Sequence, residues 1–324
     1  MASENKVTVY AVGGCGINVV FPLMQIAAKG ERGYADLTFG LVDTSHSNLP
    51  THGFTSNFIH VGDRHKRTDG SGKIRTVNLG PAKQAVVDIL SHWEPGDLNI
   101  VVHSASGGSG SMIANVLVND LLNKGKEVVV IMVGSSTCVK EADNTVATIH
   151  TYNDIAVTLN RPVPCYYLDN KDRSMEENNE RARAFLLLLT AIWSGENKGL
   201  DRMDLRNFLN YSDVSQYEPE VSWLHVADSV DPSSDLIAHT ASVVSIITEG
   251  EDPSPGVIVP YHSYGILDDE VKGLLKTPTP LHLMNCVGVF LDVLDEIEKI
   301  TEAARNAKPV RTLRGAVSRS DITL

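Results

Sequence analysis

The chain predicts an α/β fold, a doubly wound parallel sheet joined by a long central helix to a smaller α+β domain, and three observations carry that reading. Up to about residue 170, short apolar runs alternate with helical stretches, the pattern of a parallel sheet covered on both faces. Two glycine-rich segments, residues 13–18 and 106–111, each follow an apolar run and open an amphipathic stretch. Residues 174–194 contain neither proline nor glycine and pass from polar to strongly apolar, ending in the run Phe185, Leu186, Leu187, Leu188 and Leu189. A helix apolar on most sides is buried, so this one is placed as a strut between two domains.

Taken in order, the expected strands of the first part are residues 6–12, 37–42, 58–61, 98–103, 127–133 and 164–168, each a short, mainly apolar run. The helices between them begin near Gly16, Pro81, Ser109 and Asn144. Pro81 suits a first turn, where the missing N–H would be unpaired in any case. Beyond the central helix, residues 222–227, 242–248, 257–267 and 281–286 read as strands and 287–307 as a closing helix. The implied division is 1–173 for a nucleotide-binding domain, 174–198 for the central helix, 199–307 for the second domain and 308–324 for an extended tail. Lys308, Arg311, Arg314 and Arg319 against Asp321 make that tail basic on a chain whose net charge is -12.

That acidic balance opposes nucleic acid as a direct partner, since each phosphate contact needs a local cation. Four cysteines without a C-x-x-C pair indicate neither a zinc ribbon nor a disulfide framework. The start of the sequence shows no apolar signal segment, and the longest apolar helical stretch falls short of a membrane span. A cytoplasmic protein without membrane contact is expected. No metal site built from protein ligands is expected either.

The chemistry concentrates in three places. Gly13, Gly14, Cys15, Gly16 and Asn18 form one strand-to-helix loop, and Ser106, Gly107, Gly108, Ser109, Gly110 and Ser111 form another. Glycine there lets the backbone approach a phosphate while the free N–H groups of the next helix face it. Asp43 ends the second strand, where an acid could meet a ribose, so a dinucleotide-binding reading survives although Val19 replaces the third glycine of its motif. Residues 62–73, with Arg64, Lys66, Arg67, Gly70, Gly72 and Lys73, could wrap a γ-phosphate or form a solvated charged loop. Asp201 and Asp204, three apart at a loop-to-helix junction, read alone as helix capping.

The order of these parts resembles the tubulin/FtsZ superfamily, above all its phage-encoded tubulins of the PhuZ type. Residues 13–18 look like the first nucleotide loop of that family and 106–111 like its glycine-rich phosphate loop, with Ser106 where the family has a glycine. Residues 173–179 resemble the start of the central helix, where an asparagine reads guanine; Asn179 fits that position, with Asn178 the alternative. Residues 199–204 resemble the loop that one subunit inserts into its neighbour's nucleotide site, although Gly199 stands where bacterial division proteins have asparagine. Residues 281–289 resemble a late strand-to-helix junction, and the basic tail departs from the acidic tail of the phage family.

The resemblance implies GTP or GDP with Mg²⁺ as ligands and Asp201 and Asp204 as catalytic acids acting across a subunit contact. It implies a head-to-tail homopolymer that hydrolyses GTP and positions phage DNA or its replication compartment in an infected bacterium, with a compartment or capsid adaptor as a possible partner. The competing readings are an NAD(P)-dependent oxidoreductase using the first loop and Asp43, and a nucleotide-binding scaffold that assembles without turnover.

Overall fold

Valine-rich runs with no polar face need cover on both sides, and the sheet provides it. The computed structural model describes residues 5–27, 36–49, 55–62, 69–171, 173–195, 197–229, 234–267 and 279–306. In chain order the elements begin with β1 (Lys6–Val12), α1 (Gly13–Ala27), β2 (Asp36–Asp43), β3 (Phe58–His60), α2 (Leu79–His92) and β4 (Leu98–Ser104). They continue with α3 (Ser109–Asn123), β5 (Glu127–Gly134), α4 (Val139–Leu159), β6 (Val163–Asp169) and α5 (Met175–Trp193). The second half comprises β7 (Asn197–Lys198), α6 (Arg202–Leu209), β8 (Val221–Ala227), α7 (Asp235–Ala238), β9 (Thr240–Ile247), β10 (Tyr261–Leu267), β11 (Leu281–Cys286) and α8 (Val289–Asn306).

Every residue of β5 is buried, as is all of β4 but its last. Alternation then sorts β1 onto two cores: Val7, Val9 and Ala11 face one, packed with α1, α5 and α6, while Tyr10 and Val12 face the other, beneath α2, α3, α4 and the start of α8. Among the described residues the strands form one sheet in the order β3-β2-β1-β4-β5-β6-β8-β11-β9-β10-β7. The first six are parallel, and β6 continues directly into β8 by parallel pairing of Val163 with Val221. The helix-linked second half thus extends the same sheet, with β8, β11 and β9 antiparallel to one another in turn.

The order of the first six strands, 3-2-1-4-5-6, is also that of dinucleotide-binding sheets, so topology alone does not separate the two nucleotide readings. It does fix the place of the site: the crevice opens where β1 and β4 part, at their carboxyl ends.

Two helix starts differ from the expectation. α1 begins at Gly13 rather than Gly16, so the whole first loop is helix start, and α4 begins at Val139, five residues before Asn144. Pro22 lies inside α1. Its missing N–H leaves the carbonyl of Asn18 without its helical donor, and Arg183 of α5 approaches that carbonyl at 3.5 Å. The strut α5 starts on a capping box between Ser174 and Glu177, then buries Phe185 against Tyr166 with ring centroids 3.9 Å apart. Its core cluster draws on both halves of the sheet, from Val129 and Leu168 to Val244 and Leu283.

Candidate nucleotide site

α1 and α3 start side by side at the sheet's switch point, and their glycines set how closely. A Cβ on Gly16 would stand 2.2 Å from the Val102 carbonyl oxygen, and one on Gly110 would stand 3.0 Å from the Val12 oxygen. Gly13, at φ +73°, lies against Gly110. The glycines therefore serve first to seat two helix ends on neighbouring strands; the phosphate-sized space follows from that packing. The N-cap of α3 is Gly108, with no capping side chain and no acid in the first turn, so the first N–H groups are left for an anion.

Around these helix ends runs a cleft with two limbs, of about 590 and 310 Å³, that share Gly14, Cys15, Asn48, Ser104 and Gly107. The narrower limb reaches Asp43, Gly70 and Ser71 and ends on Gly108, Ser109 and Gly110. The wider limb passes Ser106, Ser135 and Glu141 to Asn18, Met175 and Asn179. The two halves of the sequence motif set thus meet in one cavity. Asn179 lines it, whereas Asn178 is fully buried and donates to the Asp169 carbonyl (2.9 Å) and Asn170 Oδ1 (2.8 Å), holding the end of β6. Ser111 is also buried, its hydroxyl donating to the Gly107 carbonyl to close the loop. Gly72 adopts φ +53° with open space around it and does not line the cleft.

Asp43 is 2% exposed and both its oxygens are engaged, accepting from the Thr44 N–H at 2.7 Å and from Asn48 Nδ2 at 2.8 Å. Burial raises its pKa against those hydrogen bonds. It braces the 43–48 turn, and each oxygen, with one hydrogen bond accepted, keeps a further lone pair at the edge of the narrower limb. Three hydroxyls gather at the start of α3: Thr44 Oγ1 and Ser71 Oγ lie 2.5 and 3.1 Å from Ser109 Oγ. Burial pushes the Cys15 thiol up to about 12, so it lines the cleft as an unreactive apolar group.

Sequence reasoning missed the wall formed by α4. Lys73, itself at φ +63°, is ion-paired with Glu141, whose other oxygen accepts from Ser135 Oγ at 2.6 Å and from Thr137. Although burial acts to raise it, the hydrogen bonds from Lys73, Ser135 and Thr137 bring the Glu141 pKa down to about 2. Asn144 of α4 donates to the carbonyls of Lys73 and Ser106, both at 2.9 Å, tying this wall to both loops. The late expected start of α4 hid Glu141; the hydroxyl-rich turn after β5 was the available signal. Arg64, Lys66 and Arg67 lie outside the described residues, as does the tail.

Asp201 and Asp204 lie outside this cleft. They form a reciprocal capping box on α6: Asp201 Oδ1 accepts from the N–H groups of Met203 (2.7 Å) and Asp204 (2.9 Å), and Asp204 Oδ2 accepts from the Asp201 N–H (3.1 Å). A larger cavity, about 760 Å³ between α4 and α8, is lined by Asp143, Asp154, Glu298 and Glu302 together with Arg75 and Arg305, and none of the expected site residues reaches it.

No family model matches the sequence. A phage tubulin-like protein of Pseudomonas phage PhiPA3 is 28% identical over 230 residues, covering 70% of this chain and 68% of that one. A protofilament structure of TubZ from bacteriophage PhiKZ superposes with a TM-score of 0.80 over 98% of this chain and 97% of the other, at 22% identity. The chain has the tubulin/FtsZ-like fold and is similar in sequence to phage tubulin-like proteins. A GDP complex of the phage tubulin PhuZ has the same fold, with a TM-score of 0.80 at 22% identity over 98% and 99% of the two chains. The expected tubulin-like fold is therefore present, with the two glycine loops side by side at the carboxyl ends of β1 and β4. No helix among the described residues is long and apolar enough to cross a membrane.

Proposed function

We propose that this tubulin-like chain binds GTP in the cleft between α1 and α3, polymerises head to tail, and hydrolyses GTP at the contact between subunits. The observation that carries the reading is the pairing of α3's uncapped N-terminus with a cleft that ends on Asn179, while the two acids fitted for hydrolysis lie elsewhere on the same chain. Phosphates would rest on the N–H groups of residues 13–16 and 107–111, and guanine on Asn179 at the start of α5. The hydroxyls of Thr44, Ser71 and Ser109 are the hard oxygen donors that suit Mg²⁺ held mainly through phosphates and water. Bound there, the ion would neutralise charge on the transferring phosphoryl group.

Asp201 and Asp204 would enter the next subunit's cleft and orient the attacking water, so a monomer carries half a catalytic site. Such a head-to-tail contact is heterologous and does not close on itself, which is the geometry of a filament. The resemblance to phage tubulins extends the proposal to positioning phage DNA or its replication compartment in the host cytoplasm.

Light scattering and phosphate release with GTP, ATP and NAD test this reading. Expected is GTP-dependent assembly with turnover that begins only above the assembly threshold. Asp204→Asn should assemble and bind GTP yet lose turnover. Equal turnover below the threshold, or NAD binding without GTP binding, would overturn the proposal; assembly without phosphate release would leave a scaffold.

A further inference from the structure

We infer that Tyr261 and Ser263, two hydroxyl-bearing residues on β10, are positioning residues that aim the Asp204 carboxylate before a neighbouring subunit arrives. The inference rests on the reading that Asp204 acts in the neighbour's nucleotide cleft.

The capping box of α6 accounts for only one of Asp204's oxygens. Oδ2 accepts from the Asp201 N–H, which completes the reciprocal cap. Oδ1 has no capping duty, yet it accepts two hydrogen bonds from a strand 57 and 59 residues away: from Tyr261 Oη at 2.8 Å and from Ser263 Oγ at 2.6 Å. Positions 261 and 263 lie two apart on one face of β10, so the strand's own period converges both hydroxyls on a single atom. The tyrosine is in turn held by Asn207 Nδ2 at 3.3 Å, one turn further along α6.

An aspartate at the first turn of a short, half-exposed helix would otherwise be free to change rotamer. Three donors on one carboxylate fix its direction and keep it ionised, because each hydrogen bond favours the anion. Burial acts to raise the pKa of Asp204, and the bonds from Ser263, Asp201 and Tyr261 together hold it below the ordinary carboxylate range. A water-orienting acid gains from such support, since a misplacement of about 1 Å costs on the order of a hundred-fold in rate. With Oδ1 saturated by this chain's hydroxyls, the lone pair left uncommitted is on Oδ2.

The test uses full-length filaments and three kinds of variant. Tyr261→Phe and Ser263→Ala should keep GTP affinity and the assembly threshold within about two-fold of wild type while lowering turnover per assembled subunit roughly ten-fold or more, the loss expected for hydrogen bonds to a charged group. Ser263→Thr, which retains the hydroxyl, should restore turnover. In an Asp204→Asn background the same substitutions should have no further effect, because their target is gone. Wild-type turnover in both single variants would overturn the inference, as would losses that multiply in the Asp204→Asn background. Loss of assembly in parallel with turnover would make the hydroxyls structural and equally refute it. Full turnover by Asp204→Asn alone would instead refute the assignment of the acid.

Discussion

Replacing Gly16 with alanine tests how closely packing sets the walls of the proposed nucleotide cleft. The added Cβ would meet the Val102 carbonyl oxygen at 2.2 Å and the Ala11 carbonyl carbon at 3.0 Å. The first is about 1.2 Å short of the 3.4 Å at which ordinary contact begins. Both obstacles are backbone of the two central strands, β1 and β4, which pair residue by residue from Val7↔Leu98 to Val12↔His103 and cannot yield separately. The start of α1 must lift by roughly an ångström, at a cost of about 1 to 3 kcal/mol for overpacking. At roughly 2 to 4 °C per kcal/mol that lowers the melting temperature by several degrees. The same shift carries the N–H groups of residues 13–16 away from α3, so GTP affinity should fall at least ten-fold. Gly80→Ala is the control: it lies in α2 at an ordinary φ with nothing within 4 Å of the new atom, and alanine's better helix propensity should raise stability by up to about 1 kcal/mol. Calorimetry and nucleotide titration read both. A Gly16→Ala protein with wild-type melting temperature and GTP affinity would refute the argument that close helix seating, rather than phosphate contact alone, demands glycine here.

Two further outcomes follow from the site. Asn179→Ala should weaken GTP binding by about 1 to 3 kcal/mol and erase preference for GTP over ATP, whereas Asn178→Ala should lower thermal stability by unpinning the end of β6; titration calorimetry distinguishes them. Glu141 has a pKa depressed to about 2 from 4.5, so its stabilising contribution is fully present above about pH 4.5 and is lost as pH falls toward 2. Melting curves of wild type and Glu141→Gln should therefore differ most near neutrality and converge with acidification, and a constant gap across that range would contradict the Lys73 pairing.

The first half of the fold was legible because doubly buried strands leave an unmixed signature: β4 and β5 have no solvent face to interrupt their apolar runs. Asp201 and Asp204 were legible as a cap because their three-residue spacing is a local property of a helix start. The join between β6 and β8 was not, since it pairs residues 58 positions apart and involves neither turn chemistry nor a distinctive pattern. Nor was the contact of Tyr261 and Ser263 with Asp204, for the same reason. Glycines 13, 14, 16 and 110 were expected to admit a phosphate, and the surfaces they approach in the fold are the neighbouring strand and loop. Glu141 was overlooked because the expected start of α4, near Asn144, lay beyond it.

The seam between the two halves of the sheet is narrow. β4 and β5 are zipped by seven registered pairs, whereas β6 and β8 share three, Val163↔Val221, Pro164↔Ser222 and Cys165↔Trp223, and one of those residues is a proline with no N–H to give. Across this short ladder the two halves are also joined by side chains on both faces: α4 packs on both β6 and β8, α8 packs on β8, and the cluster around α5 draws on both halves. The sheet is continuous in topology, yet at its middle the two halves are held together more by helix packing than by strand pairing.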